Sequence, residues 1–174
     1  MTQPARSLRA IQQVAAAWIL SVAFDLFLHG GLLARLYLEP GPVLLRPEDA
    51  VRRIPFGYLA FLMLTVGLFL LLRRLGVSGA VSGFRHGVVA GAVVWGAHAI
   101  GLYSISTAPV PLLSGWWIGQ TIELGLAGAV LGAAADGVSL KRIWLMVAAA
   151  SLIFVGVTVT LQSLGFAPAV KVSR

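Results

Sequence analysis

Hydrophobic and polar positions along this chain separate into blocks. Five long apolar runs, at positions 15–36, 56–72, 87–106, 115–135 and 143–164, are divided by short polar turns. A helix rises about 1.5 Å per residue, and a bilayer core of about 30 Å needs roughly 20 apolar residues, with about 17 to 25 sufficing. Every run meets that requirement. The pattern predicts an all-α bundle of five membrane-spanning helices forming a single domain over 1–174, its second and shortest span standing nearly upright. The first run follows Arg6 and Arg9, as a signal peptide would. It continues well past the roughly 7 to 15 apolar residues of such a segment, and no small-x-small cleavage site precedes polar sequence, so a retained helix is expected.

Composition agrees with the pattern. Hydrophobic residues make up 59% of the chain and charged residues 11%, and mean hydropathy is +0.92. A soluble domain carries about 25% charged residues to face water. An ordinary cytosolic enzyme and a disordered chain are therefore excluded, and the absence of cysteine excludes a disulfide scaffold. The net charge of +7 does not form a nucleic-acid patch. Its cations flank the apolar runs in small groups, where they face anionic head groups, so membrane lipids are the expected partners and nucleic acid is not. Eleven Arg against two Lys, with abundant Ala, Gly and Val, suit a GC-rich bacterial genome and hence a bacterial inner membrane.

Orientation follows the cations of the short loops. The turn at 107–114 has none and is expected outside, whereas 73–85 and 136–142 carry three and two and are expected in the cytoplasm. Five spans then place the N-terminus inside. The first outer loop holds Arg46, Arg52 and Arg53 and bears its own signal. Pro47 can open a helix, Glu48 and Asp49 suit its first turn, and Glu48–Arg52 and Asp49–Arg53 stand at i,i+4. A short surface helix ended by Pro55 is predicted there, against the alternative of an irregular solvated loop. Tyr37, Tyr58, Tyr103, Trp116 and Trp117 fall near the outer boundary and Trp18 and Trp144 near the inner one, as amphipathic rings prefer. The first and third runs each carry a histidine followed by a tyrosine near the outer end.

Four ionisable residues interrupt the spans: Asp25, His29, His98 and Glu123. A charge at the bilayer centre costs about 2.5 to 3.5 kcal/mol, so each must face protein or water. Counted from the outer helix ends, all four fall in one layer of the outer half. Asp25 and His29 share a face as an i,i+4 pair. Gly87, Gly91, Trp95, His98 and Leu102 share another, whose glycines allow close helix approach. The fourth helix is two-sided, with Trp116, Gly119, Gln120, Glu123 and Ala127 opposite Thr121, Gly125, Gly128 and Gly132. It should be packed on both sides, centrally in the bundle or against a second copy or a partner protein.

Two readings of the polar layer stand side by side. In one, Asp25, His29, His98, Gln120 and Glu123 form a site that binds or moves a small molecule, a lipid or a proton; Glu123 titrates with His98 as its partner, and Asp25 orients His29. In the other they only lock helices together in a structural or assembly protein. No metal or other cofactor is assigned, because no HxxxH or HExxH spacing and no cysteine accompanies the histidines. No catalytic residue is assigned either, since Ser104, Ser106 and Thr107 stand in no nucleophile elbow or triad. Arg35 is expected to snorkel to the outer interface.

One stretch resembles known proteins. Gly83-x-Arg85-x-Gly87 entering a helix, then Tyr103, Pro109-x-Pro111, Trp117, Glu123, Gly128 and Gly132, is similar to a group of small bacterial multi-pass proteins, typically of four helices and with no established activity. The resemblance covers under a third of the chain and implies a helical membrane protein. The fifth predicted helix departs from it.

Overall fold

A computed structural model of the chain describes residues 3–37, 45 and 47–168. They form five long helices: α1 (Gln3–Phe27), α2 (Pro47–Arg74), α3 (Ala80–Ile105), α4 (Val110–Ala135) and α5 (Leu140–Ser163). All five are long and apolar enough to cross a membrane. No strand occurs among the described residues. Beyond Phe27, α1 runs into a π-helical turn, Leu28–Leu32, and then a 3₁₀ turn, Ala34–Tyr37.

The surface helix expected before Pro55 is not a separate element. Its residues are the opening turns of α2, and Pro55 sits inside that helix. Proline supplies a helical φ and forfeits only its own N–H donor and the room beside the carbonyl four residues back. Residues 52–57 are all exposed, so solvent or head groups can serve the carbonyl that loses its partner. Arg46 and the Glu48 side chain, which entered that expectation, lie outside the residues described, as do Lys171 and Arg174. An earlier start for α2 also carries Tyr58 inward. It lies level with Trp18, whose indole N–H donates to the Tyr58 carbonyl at 2.9 Å, so these two rings do not mark opposite boundaries.

The fourth helix is the hub. It is 61% buried across its span, against 11% for α2 and α3, 17% for α5 and 39% for α1, and it touches all four other helices. Its two faces do different work. On one side, Ala17, Leu68, Leu72, Leu124, Ala127 and Leu131 join α1, α2 and α4, while Ala16, Leu20, Ala134, Ile143 and Val147 join α1, α4 and α5.

On the other side α4 meets α3 backbone to backbone. An added Cβ would stand 2.1 Å from the Gly128 carbonyl oxygen at Gly83, 2.3 Å from the Leu124 oxygen at Gly87 and 2.9 Å from Thr121 Cα at Gly91. Reciprocally, it would lie 2.3 Å from the Gly83 oxygen at Gly128 and 2.4 Å from the Gly79 oxygen at Gly132, and Gly125 is closed by Val88 and Phe84. Gly79, at φ +89°, begins α3 and donates its N–H to the Gly132 carbonyl at 2.9 Å. Only glycine adopts that φ without strain. The glycine-rich face of α4 is thus filled by α3 of the same chain.

Candidate functional site

The site is built where α1 loosens. Asp25 occupies the last regular turn, and His29 belongs to the π-helical turn that follows, closed by the bond from Leu33 N to the Leu28 carbonyl at 2.8 Å. Such turns widen the helix and release carbonyl groups, and they gather at functional positions. The freed Gly30 carbonyl is taken by Gln162 Nε2 of α5 at 3.0 Å. Gly30 and Gly31 let α5 come close, since a Cβ on either would meet Thr158 or Leu161 at 3.2 to 3.4 Å. The 3₁₀ turn then folds Tyr37 back over His29, with ring centroids 5.6 Å apart.

Against this end of α1, α4 presents Trp116, Gln120 and Glu123. Trp116 Nε1 donates to the Tyr37 hydroxyl at 2.5 Å. Tyr37 Oη lies against His29 Nδ1, and His29 Nε2 stands 3.0 Å from Asp25 Oδ1. Gln120 Nε2 donates to the same Asp25 oxygen at 3.1 Å.

An indole N–H can only donate, so the Tyr37 oxygen accepts from Trp116. With an ionised Asp25 beside a neutral His29 ring, Nε2 carries the proton that points to the carboxylate, and the bare Nδ1 accepts from the Tyr37 hydroxyl. Gln120 Nε2 also lies 3.1 Å from His29 Nε2, but both atoms then carry hydrogen, so the amide serves the carboxylate. The result is a one-directional chain, Trp116 to Tyr37 to His29 to Asp25, with Gln120 joining at the end. Burial holds the Tyr37 phenol well above its usual pKa, so it remains a donor.

Beside this chain lies a set of buried polar atoms without hydrogen bonds: Ser21 Oγ, Gln120 Oε1 and Glu123 Oε2. Glu123 is 3% exposed and Ser21 1%. The Ser21 hydroxyl and the Asp25 carboxyl both act on the Glu123 carboxyl, yet neither Ser21 Oγ nor Glu123 Oε2 makes a well-formed bond. Native interiors leave few such atoms, and an unpaired one costs about 1 to 3 kcal/mol. Two further buried hydroxyls, Thr121 Oγ1 and Ser151 Oγ, lack partners as well.

No family model, curated protein or solved structure matches this chain.

Four of the five expected site residues come together: Asp25, His29, Gln120 and Glu123. His98 does not join them. It is exposed on α3, with its ring edge-on to Trp95 at 5.6 Å. The cause is the pitch of the glycine contact. Positions spaced by four advance by about 40° around a helix, so the line Gly83–Gly87–Gly91 rotates as it rises. At the level of His98 it has reached Ala99, which is buried, and His98 points about 100° away. The expected His98–Glu123 pair is replaced by Ser21 and Asp25 as the neighbours of Glu123.

Three members of the site were not singled out as such in the sequence. Ser21 carries no sequence signal beyond its place one turn before Asp25. Tyr37 and Trp116 read there as interfacial rings. The histidine-then-tyrosine order near the end of the first span was the available hint for Tyr37, but the matching pair on α3 does not meet, since His98 and Tyr103 are both exposed. Arg35 donates to the Phe166 and Gly165 carbonyls at 2.8 and 3.0 Å and so ties the turn after α1 to the segment that follows α5. Among the described residues, no three His, Asp or Glu side chains converge as metal ligands.

Proposed function

We propose that the chain is a multi-pass protein of a bacterial cell membrane, with its N-terminus in the cytoplasm, whose outer polar layer takes up a proton. The observation that carries this reading is the directed chain from Trp116 through Tyr37 and His29 to Asp25, ending beside buried acceptor atoms of Gln120 and Glu123. A proton arriving at the Tyr37 oxygen releases the phenolic proton to His29 Nδ1. The Nε2 proton then passes to Asp25 Oδ1. Tyr37 and His29 end neutral, and the net change is one proton gained by Asp25. Glu123, with the Ser21 hydroxyl at its side, is the next oxygen acid in the layer.

The experiment is a pH titration of the carboxyl bands by infrared difference spectroscopy on protein reconstituted in vesicles. Asp25→Asn and Glu123→Gln should each remove a titrating carboxyl band while the variants stay folded. A titration unchanged by both substitutions in folded protein would overturn the proposal. The second reading, a structural protein whose polar residues lock helices, is favoured by the direct α4-to-α1 bond from Gln120 to Asp25. Loss of the folded state in both variants would decide for that reading.

A further inference from the structure

At the opposite end of the bundle from the polar layer, α1, α2, the turn before α3 and α4 line a half-open cavity of about 460 Å³. Its polar lining comes from Arg9 and Gln13 of α1, Arg73 of α2 and Ser78 of the turn, over apolar side chains that include Leu72 and Leu131. Both leucines are buried, at 3% and 4% exposure, so the floor is continuous with the apolar core. Among the described residues no carboxylate lines the cavity. The adjacent Asp136 is engaged by the Ser78 hydroxyl at 2.9 Å. Arg73 is held in place by the Phe69 ring, 5.5 Å from its guanidinium carbon, and Phe69 also lines the cavity.

Neither Arg9 nor Arg73 forms an ion pair among the described residues. Arg9 and Arg73, on different helices, therefore line one concavity with no carboxylate paired to either among the described residues. Planar guanidinium forks suit the oxygens of a phosphate group. The apolar floor and the exposed Leu8, Ile11 and Leu75 at this end add a surface for acyl chains. A freely soluble anion would have no use for that surface.

We propose that this cavity seats the phosphate head group of an anionic glycerophospholipid, with Arg9 and Arg73 as its ligands and Gln13 as a further donor. The site is separate from the proton-accepting layer. Asp25 lies sixteen residues along α1 from Arg9, about 24 Å away at helical rise.

The test is native mass spectrometry of the full chain released from mixed micelles containing phosphatidylglycerol or phosphatidylcholine. The wild type should retain one phosphatidylglycerol in preference to phosphatidylcholine. Arg9→Gln and Arg73→Gln should each lower that retention about tenfold, the loss of one charge-assisted contact, and Arg142→Gln, at the same end but outside the cavity, should leave it unchanged. Equal retention of the two lipids by the wild type would overturn the proposal without any variant, and so would equal losses from Arg9, Arg73 and Arg142. Inorganic phosphate that displaces the lipid completely at matched concentration would overturn the lipid assignment in favour of a free anion. None of these outcomes depends on Asp25 or Glu123, so failure here and failure of the proton site are distinguishable.

Discussion

Replacing Gly128 by alanine tests the packing that holds the site's helix in place. The new Cβ would lie 2.3 Å from the Gly83 carbonyl oxygen and 3.0 Å from its carbon. Real Cβ atoms essentially never come within 3.0 Å of another atom, so α3 and α4 must part by roughly 0.7 Å, because the obstructing atoms are backbone and cannot rotate away. Overpacking of this kind costs about 1 to 3 kcal/mol. Separation also strains the bond from Gly79 N to the Gly132 carbonyl, and an interhelical polar contact contributes about 0.6 kcal/mol on average. The expected loss is about 2 to 4 kcal/mol. Gly67, Gly101 and Gly156 are the controls. Each sits in a helix with nothing within 4 Å of an added Cβ, so the same substitution there should be neutral or stabilising by up to about 1 kcal/mol through helix propensity. Denaturant-driven unfolding of the purified protein in detergent, followed by tryptophan emission, measures all four. If Gly128→Ala and Gly156→Ala lose the same stability, the backbone-to-backbone contact of α3 and α4 is not what the structure describes.

Two further outcomes follow from the site. Tyr37 is held above its usual pKa by burial, so the unfolded chain loses this proton near pH 10 while the folded chain keeps it. Its share of stability is therefore complete below pH 10 and is lost as pH rises beyond it. Tyr37→Phe should flatten the alkaline limb of a stability-versus-pH curve and lower stability at neutral pH by about 1 to 3 kcal/mol by unpairing His29 and Trp116; an unaltered alkaline limb would refute the burial argument. His98→Ala, by contrast, should leave the ¹⁵N imidazole signals of His29 and their pH dependence unchanged, and a shift there would return His98 to the site.

Much was legible before any coordinates, for a physical reason. Burying backbone in hydrocarbon demands long uninterrupted apolar helices, so their number and order are written locally, in blocks. The two-sided character of α4, the small-residue contact at Gly87, Gly91, Gly125, Gly128 and Gly132, and the Asp25–His29 pair are local in the same sense. They depend only on spacing along one helix. Azimuth and register between helices are not local. Whether His98 or Ser21 faces Glu123 depends on how fast the α3–α4 contact line turns around α3, and a straight projection of one helix face misses that rotation. Tyr37 entered the site because a π-helical turn and a 3₁₀ turn bend the chain back over His29, a backbone event with no counterpart in hydrophobic pattern. Pro55 failed to end a helix because exposed surroundings relieve the carbonyl it displaces. The sequence determined which groups must be hidden from lipid, and the tertiary structure decided which of them hide together.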